Sequence, residues 1–165
     1  MVTATLKMKD ACDLLDADHK TVKKMFMEFE ELTESGGSKQ NTKQKKQDLA
    51  DKICNELTVH AQIEEEIFYP AIRKAIKDDL LMNEAEVEHA SAKDLIAQIQ
   101  EMDAGDPLFD AKVTVLGEYI DHHVKEERTE MFPKARATKV DLVAMRNVLQ
   151  ERKEELMAEL EGMPA

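Results

Sequence analysis

Turn formers are scarce in this chain: five glycines and four prolines among 165 residues. No stretch alternates apolar and polar residues between turn signals, so a sheet is not expected. Basic charge is also in deficit, with 23 Lys and Arg against 35 Asp and Glu and a net charge of −12. Nucleic acid and anionic membrane surfaces both require a basic face, so neither is expected as a partner. The one basic run, Ser38 to Gln47, reads as a solvated segment at a loop and helix start. No apolar run approaches the roughly 20 residues of a membrane span. The opening MVTATLKMKDACDLL lacks the apolar core of a signal peptide. Cysteine is limited to Cys12 and Cys54, far apart and without a CxxC. Such a pair reads as reduced, mostly structural thiols in a cytoplasmic protein.

What remains is rich in Leu, Ile, Val, Ala, Met, Glu and Lys, the composition of an all-α protein with one sizeable core. Apolar spacing predicts a first helix over about Leu6 to Glu34, ended by SGGSKQNT. A second helix is expected from a Thr42 cap to about Lys77, and a third from an Asn83 cap to about Met102. A fourth is expected to follow DAGDP, with Asp106 as cap and Pro107 in first position, and to reach about Ala135. Residues 1–135 then form an up-down-up-down four-helix bundle. Residues 136–165 add a C-terminal helix, Val140 to Glu161, begun by a Thr138-to-Asp141 capping pattern. Its stripe of Leu142, Met145, Leu149 and Leu156 can pack along the bundle or join two copies, so the chain is expected to be a monomer or a homodimer.

One skeleton occurs twice. HAQIEEEIFYP runs from His60 to Pro70 and HVKEERTEMFP from His123 to Pro133, each with Glu four residues after His and Pro ten after. Each proline should bend its helix. A His and a Glu four residues apart project from one side of a helix. His60 and Glu64 share that side with Leu57 and Ile67, and His123 and Glu127 share theirs with Leu116 and Ile120. His19 shares a face with Leu15 and Val22, and His89 with Met82 and Ile96. One imidazole per helix and two carboxylates thus point into the core, whereas His122 falls off the core face. Counting residues from the helix ends puts His19 level with His60 and His89 level with His123, but leaves His60 and His89 at different levels. Two buried carboxylates cost several kcal/mol each unless compensated, so this set calls for cations.

His19 followed by HAQIE, and His89 followed by HVKEE, resemble the hemerythrin family in its HHE cation-binding branch. The flanks DADHKTVKKMF and EVEHASAKDLI resemble the opening helices of two half-repeats. The resemblance implies a bundle around two non-haem irons bridged by an oxide or hydroxide. His19 and His60 would bind one iron, His89 and His123 the other, and Glu64 and Glu127 would bridge them. Mixed imidazole and carboxylate ligands suit iron, with zinc or manganese also compatible.

The oxygen-carrying members have a further His where this chain has Lys93, and a protonated Lys cannot ligate. Two coordination positions would then stay open, or be filled by Glu65, Glu126, Tyr69, Tyr119 or water. Lys93, one turn after His89, is expected beside the metal, Tyr119 in the cavity wall, and Tyr69 roughly opposite His60. The resemblance implies binding of O2, NO or H2O2. Peroxide disproportionation and iron or oxygen sensing are the alternatives.

Overall fold

The structure, a computed structural model, describes residues 9–35 and 40–162. Helix α1 spans Ala11–Glu34 and begins later than its apolar pattern suggests. The side chain of Asp10 accepts the Asp13 amide, and that of Asp13 accepts the Asp10 amide. This reciprocal box stops the helix at Ala11. The Leu6 to Met8 part of the expected helix lies outside the described residues.

Helix α2 spans Gln40–Ile63, so Thr42 is inside the helix rather than its cap. Within the supposedly solvated basic run, Lys46 is buried. Its amine meets Asp110 at 2.7 Å and lies 6.0 Å from the Phe29 ring centroid. That pair ties α2 to the fourth long helix.

A wide π turn, Glu64–Phe68, then leads into α3, Tyr69–Ile76. Helix α4 spans Asp79–Gln100. Asp78 caps it by accepting the Leu81 amide, and the expected cap Asn83 sits inside, accepting from Arg73. Helix α5 spans Phe109–Glu126. Asp106 caps only the preceding turn, accepting the Asp103 amide, so Pro107 stands before the helix. A second π turn, Glu127–Met131, leads into α6, Phe132–Arg136. Helix α7 spans Leu142–Leu160 and is capped by Asp141, which accepts the Ala144 amide. Thr138 instead closes the preceding turn, donating to Ala135 and accepting from Val140.

The long helices pack in a ring: α1 on α2, α2 on α4, α4 on α5, and α5 back on α1. This is an all-α, up-down-up-down bundle. Helix α7 lies against α1 and α2. Its stripe faces inward, with Leu142, Leu149 and Leu156 buried and Met145 partly so. Each buried Leu stabilises by about 1.5–3 kcal/mol. Deleting residues from Val140 onward should therefore lower the melting temperature while leaving the mass by light scattering that of the same oligomer. A loss of dimer on truncation would show that α7 also joins copies.

Two apolar clusters fill the bundle. One, near the π turns and α7, contains Leu15, Ile63, Phe68, Met82 and Met131. The other, toward the far end, contains Val22, Phe29, Ile53, Ile96 and Leu116. Each of the four inward histidines falls between a residue of the first cluster and one of the second along its own helix. The polar set forms a single layer enclosed by apolar packing on both sides.

Candidate metal centre

His19, His60, His89 and His123 are each 6–7 % exposed, and Glu64 and Glu127 are fully buried. His19 and His60 approach with ring centroids 4.9 Å apart, and His89 and His123 with 5.0 Å. Glu64 Oε1 lies 3.4 Å from His60 Nε2 and 3.1 Å from His89 Nε2. Glu127 offers Oε1 to His19 Nε2 at 3.0 Å and Oε2 to His123 Nε2 at 3.6 Å. Each carboxylate thus spans both histidine pairs. The level mismatch expected between His60 and His89 is resolved by Glu64. His89 stands level with this glutamate, one turn beyond His60, and the cap of α4, Asp78, comes five residues before the expected Asn83.

All four Nε2 atoms point inward because all four Nδ1 atoms are engaged on the outside. His19 Nδ1 lies 3.3 Å from Asp16, His60 Nδ1 3.0 Å from Asp18, His89 Nδ1 2.7 Å from Glu65, and His123 Nδ1 2.6 Å from Glu88. A carboxylate on the outer nitrogen fixes the ring's orientation and strengthens its inner nitrogen as a donor. The sequence does carry a signal for two of these partners. Asp18 immediately precedes His19, and Glu88 immediately precedes His89. Each holds the second histidine of its own half-repeat.

Tyr69 is the residue whose placement departs most from the helical pattern. Nine residues at about 100° each would put it opposite His60. The π turn between them absorbs an extra residue, with the Tyr69 amide donating to the Glu64 carbonyl. That rotates everything beyond it by about one residue step and brings Tyr69 into the centre. The wide turn also makes room for Pro70, which has no amide to donate and whose ring would crowd a regular turn. In place of a simple proline bend, the repeat therefore encodes a π turn.

The Tyr69 hydroxyl donates to Glu127 Oε2 at 2.9 Å and to Glu64 Oε1 at 3.3 Å. It lies 3.1 Å from His89 Nε2 and 3.0 Å from His123 Nε2. The matching position in the second half-repeat is Phe132, whose ring stacks on His19 at 6.0 Å. Among the imidazoles the hydroxyl therefore meets those of one half, His89 and His123.

The other candidates lie elsewhere. Lys93 is half-exposed, its amine donates to Glu65, and it lines the same cavity as the four histidines. Glu65, engaged by both His89 and Lys93, is not free to fill a coordination position. Glu126 sits beside Glu88 and His122, whose ring is exposed. The hydrogen bond to Glu88 pushes the Glu126 carboxyl up to about 7. Tyr119, also half-exposed, lines the mouth of a cavity of about 40 Å³. All four histidines border this cavity, together with Val22, Leu57, Ala92 and Ile96. Glu64, Glu127 and Tyr69 do not, which puts the cavity on the opposite side of the imidazoles from the hydroxyl.

The electrostatics are those of a site built for positive charge. Burial pushes the imidazoles of His60 and His123 down, but the neighbouring carboxylates outweigh it and hold both well above the usual histidine range. Burial pushes Glu127 up, yet His123 and the hydrogen bonds around it hold this carboxyl well below its ordinary value. Burial, with Glu127 and Glu64 adding to it, drives the Tyr69 hydroxyl far up. Even so, His19 Nε2, His60 Nε2, Glu64 Oε2 and Glu127 Oε1 are buried without a hydrogen-bond partner. Such orphaned polar atoms are costly unless something binds them. Among the described residues three groups converge closely enough to hold a metal ion, and two of them are buried: His19, His60, Glu64 and Glu127, and Glu64, His89 and His123; the third, Glu88, His122 and Glu126, lies at the surface. Cys12 and Cys54 take no part. Both are free and buried, and burial pushes their thiols up to about 12.

A family model described as hemerythrin HHE cation binding domain matches residues 10–135. A DNA nickase of Nostoc sp. is 29% identical over 120 residues, covering 73% of this chain and 32% of that protein. This chain therefore spans about a third of that relative's length. The crystal structure of a hemerythrin HHE cation binding domain-containing protein from Mycobacterium kansasii matches with a TM-score of 0.72 and 20% identity. The match covers 91% of this chain and 88% of that one. At that identity the likeness shows a shared fold. With the family model spanning both half-repeats and every inward His and Glu, the chain belongs to the hemerythrin HHE cation-binding domain family.

Proposed function

We propose that this protein is a non-haem di-iron protein in which His19, His60, His89 and His123 hold two irons bridged by Glu64 and Glu127. The observation that carries the reading is a set of spacings. Ligands at neighbouring corners of an octahedral ion with bonds of about 2.1 Å lie about 3.0 Å apart. Across different segments His19 meets Glu127 at 3.0 Å and His89 meets Glu64 at 3.1 Å, while His60 and His123 stand 3.4 and 3.6 Å from the same two carboxylates. Several of these atoms have no hydrogen-bond partner, so hydrogen bonding alone does not account for the convergence.

Bound iron would supply redox change and open coordination. The chain's residues do the rest. Asp16, Asp18, Glu65 and Glu88 hold the imidazoles in register, and the apolar wall of Val22, Leu57, Ala92 and Ile96 excludes bulk water from the approach. A cavity of about 40 Å³ exceeds the room one water needs, about 10–15 Å³ on the same measure. It suits O2, NO or H2O2 and no larger organic substrate. In the metal-free chain the hydroxyl of Tyr69, on the far side, donates its proton to Glu127.

Peroxide disproportionation is the second reading, favoured by a cavity that all four histidines border. The DNA nicking named for the longer Nostoc protein is not carried over, because a chain of net charge −12 offers poor attraction to phosphate. Elemental analysis of iron-grown protein should give about two irons per chain, and the loaded protein should release oxygen from added peroxide if it is an enzyme. One metal per chain would sink the bridged pair. Two irons without oxygen release would leave ligand binding as the function.

A further inference from the structure

Each of the four outer carboxylates is itself backed by a basic group. Arg128 donates to Asp16, Lys93 to Glu65, and His122 lies 3.5 Å from Glu88. These three come from the bundle. The fourth does not: Lys153, on α7, donates to Asp18 Oδ1 at 2.6 Å, while Asp18 Oδ2 meets His60 Nδ1 at 3.0 Å. Helix α7 lies wholly beyond the residues that the family model matches.

We propose that Lys153 is a positioning residue for the metal centre, holding Asp18 and, through it, the His60 imidazole, so that α7 governs the half built by His19 and His60. The inference rests on the di-iron reading above. Asp18 is only 4 % exposed, so bulk solvent has little access to the oxygen that Lys153 holds. Its neighbours fix the Lys in turn. Leu149 and Leu156, one turn to either side, are buried in the core, which sets the rotation of α7. Arg152 meets Glu66 at 2.8 Å in the π turn that also carries Glu64. The other half, built by His89 and His123, draws its outer carboxylates from Glu65 and Glu88, which Lys93 and His122 of the bundle back.

With the Lys removed, a buried carboxylate keeps one partner and is free to rotate or take up a proton. Either change loosens the outer hold on His60. Losing such an outer partner typically costs 10- to 100-fold in metal affinity. Because the Lys acts at one remove, Lys153→Met should accelerate release of one of the two irons to a chelator about tenfold, leaving the other at the parent rate. Lys153→Arg should restore the slow phase. Glu154→Gln, an exposed change on the same helix where Glu154 meets only Gln150, should leave both phases unchanged.

A second arm needs no iron. In metal-free full-length protein labelled with 15N-histidine, Lys153→Met should move the ring signals of His60 and leave those of His89 and His123 in place. Equal acceleration of both irons, the same effect from Glu154→Gln, or unmoved His60 signals would overturn the role of Lys153. A parent protein that takes up no iron pair would instead sink the reading of the centre, and the His60 signals would still report the contact.

Discussion

Metal-free protein should melt well below the iron-loaded form, and the gap should widen as pH rises from about 6 to about 8. A ligand that binds only the folded state at a free concentration 1,000 times its dissociation constant stabilises by about 4 kcal/mol. For a chain of this size that is roughly 8–16 °C in melting temperature. The pH dependence follows from what compensates the buried charges when iron is absent. His60 and His123 are held well above about 6.5 by their carboxylates. Their contribution to folding is complete below about 6.5 and is lost as pH rises through the raised values. Glu127 is held well below about 4.5, so its contribution is complete above that value and is lost as pH falls through the lowered one. The metal-free site is therefore best satisfied between about pH 4.5 and 6.5, where protons stand in for metal.

Iron requires the same imidazoles neutral, so protons compete with it and its affinity rises with pH. The two forms diverge in opposite directions above pH 6.5. Circular-dichroism melts of stripped and loaded protein at pH 6 and pH 8 would test this. Equal melting temperatures at both would exclude a buried metal. A gap that narrowed with pH would show that the imidazoles are not where the protons bind.

The residues that could be placed from sequence are those governed by regular helical spacing. His60 with Glu64, and His123 with Glu127, meet because four residues make about one turn, and nothing between them disturbs it. His19 and His89 face them because their apolar neighbours Leu15, Val22, Met82 and Ile96 set the rotation of α1 and α4. Tyr69 failed the same reasoning because a π turn intervenes, and regular spacing holds only while the turn type does. The turn was encoded by the repeated proline, which marks where the regular ladder loses an amide. The helix starts were misplaced for a different reason. Asp10, Asp78 and Asp141 each accept an amide three residues on, whereas the periodicity points to Leu6, Asn83 and Val140. In a chain this rich in Asp and Glu, a capping acid looks no different from a solvated one. Lys46 and Lys153 were illegible because each depends on a partner far along the chain, Asp110 and Asp18, that only packing brings near.

Tyr69→Phe should weaken one half of the centre, loosening the iron at His89 and His123 by about 10- to 100-fold, the range seen when a group bonded to metal ligands is lost. The Tyr69 oxygen lies 2.9–3.3 Å from four other inner atoms, two imidazole nitrogens and two carboxylate oxygens. These are the same spacings that mark the His and Glu set as ligands. Without metal the hydroxyl keeps its proton, because burial and the two carboxylates oppose ionisation. A bound ferric ion would oppose that effect, since its positive charge favours the phenolate. The hydroxyl would then fill, on one iron, a position left open by the Lys93 substitution. The other half has no counterpart, because Phe132 occupies the matching place beside His19. That phenylalanine also shows that the π turn accommodates the ring without the oxygen, so the variant should fold. Loaded parent protein should absorb in the visible from a phenolate bound to iron, and Tyr69→Phe should lose that band. Iron release from the variant should become biphasic, with half the metal leaving at the parent rate. An unchanged spectrum and a single parent-like release phase would reduce Tyr69 to a hydrogen-bond donor for Glu127. The position beside His89 and His123 would then stay open to another ligand.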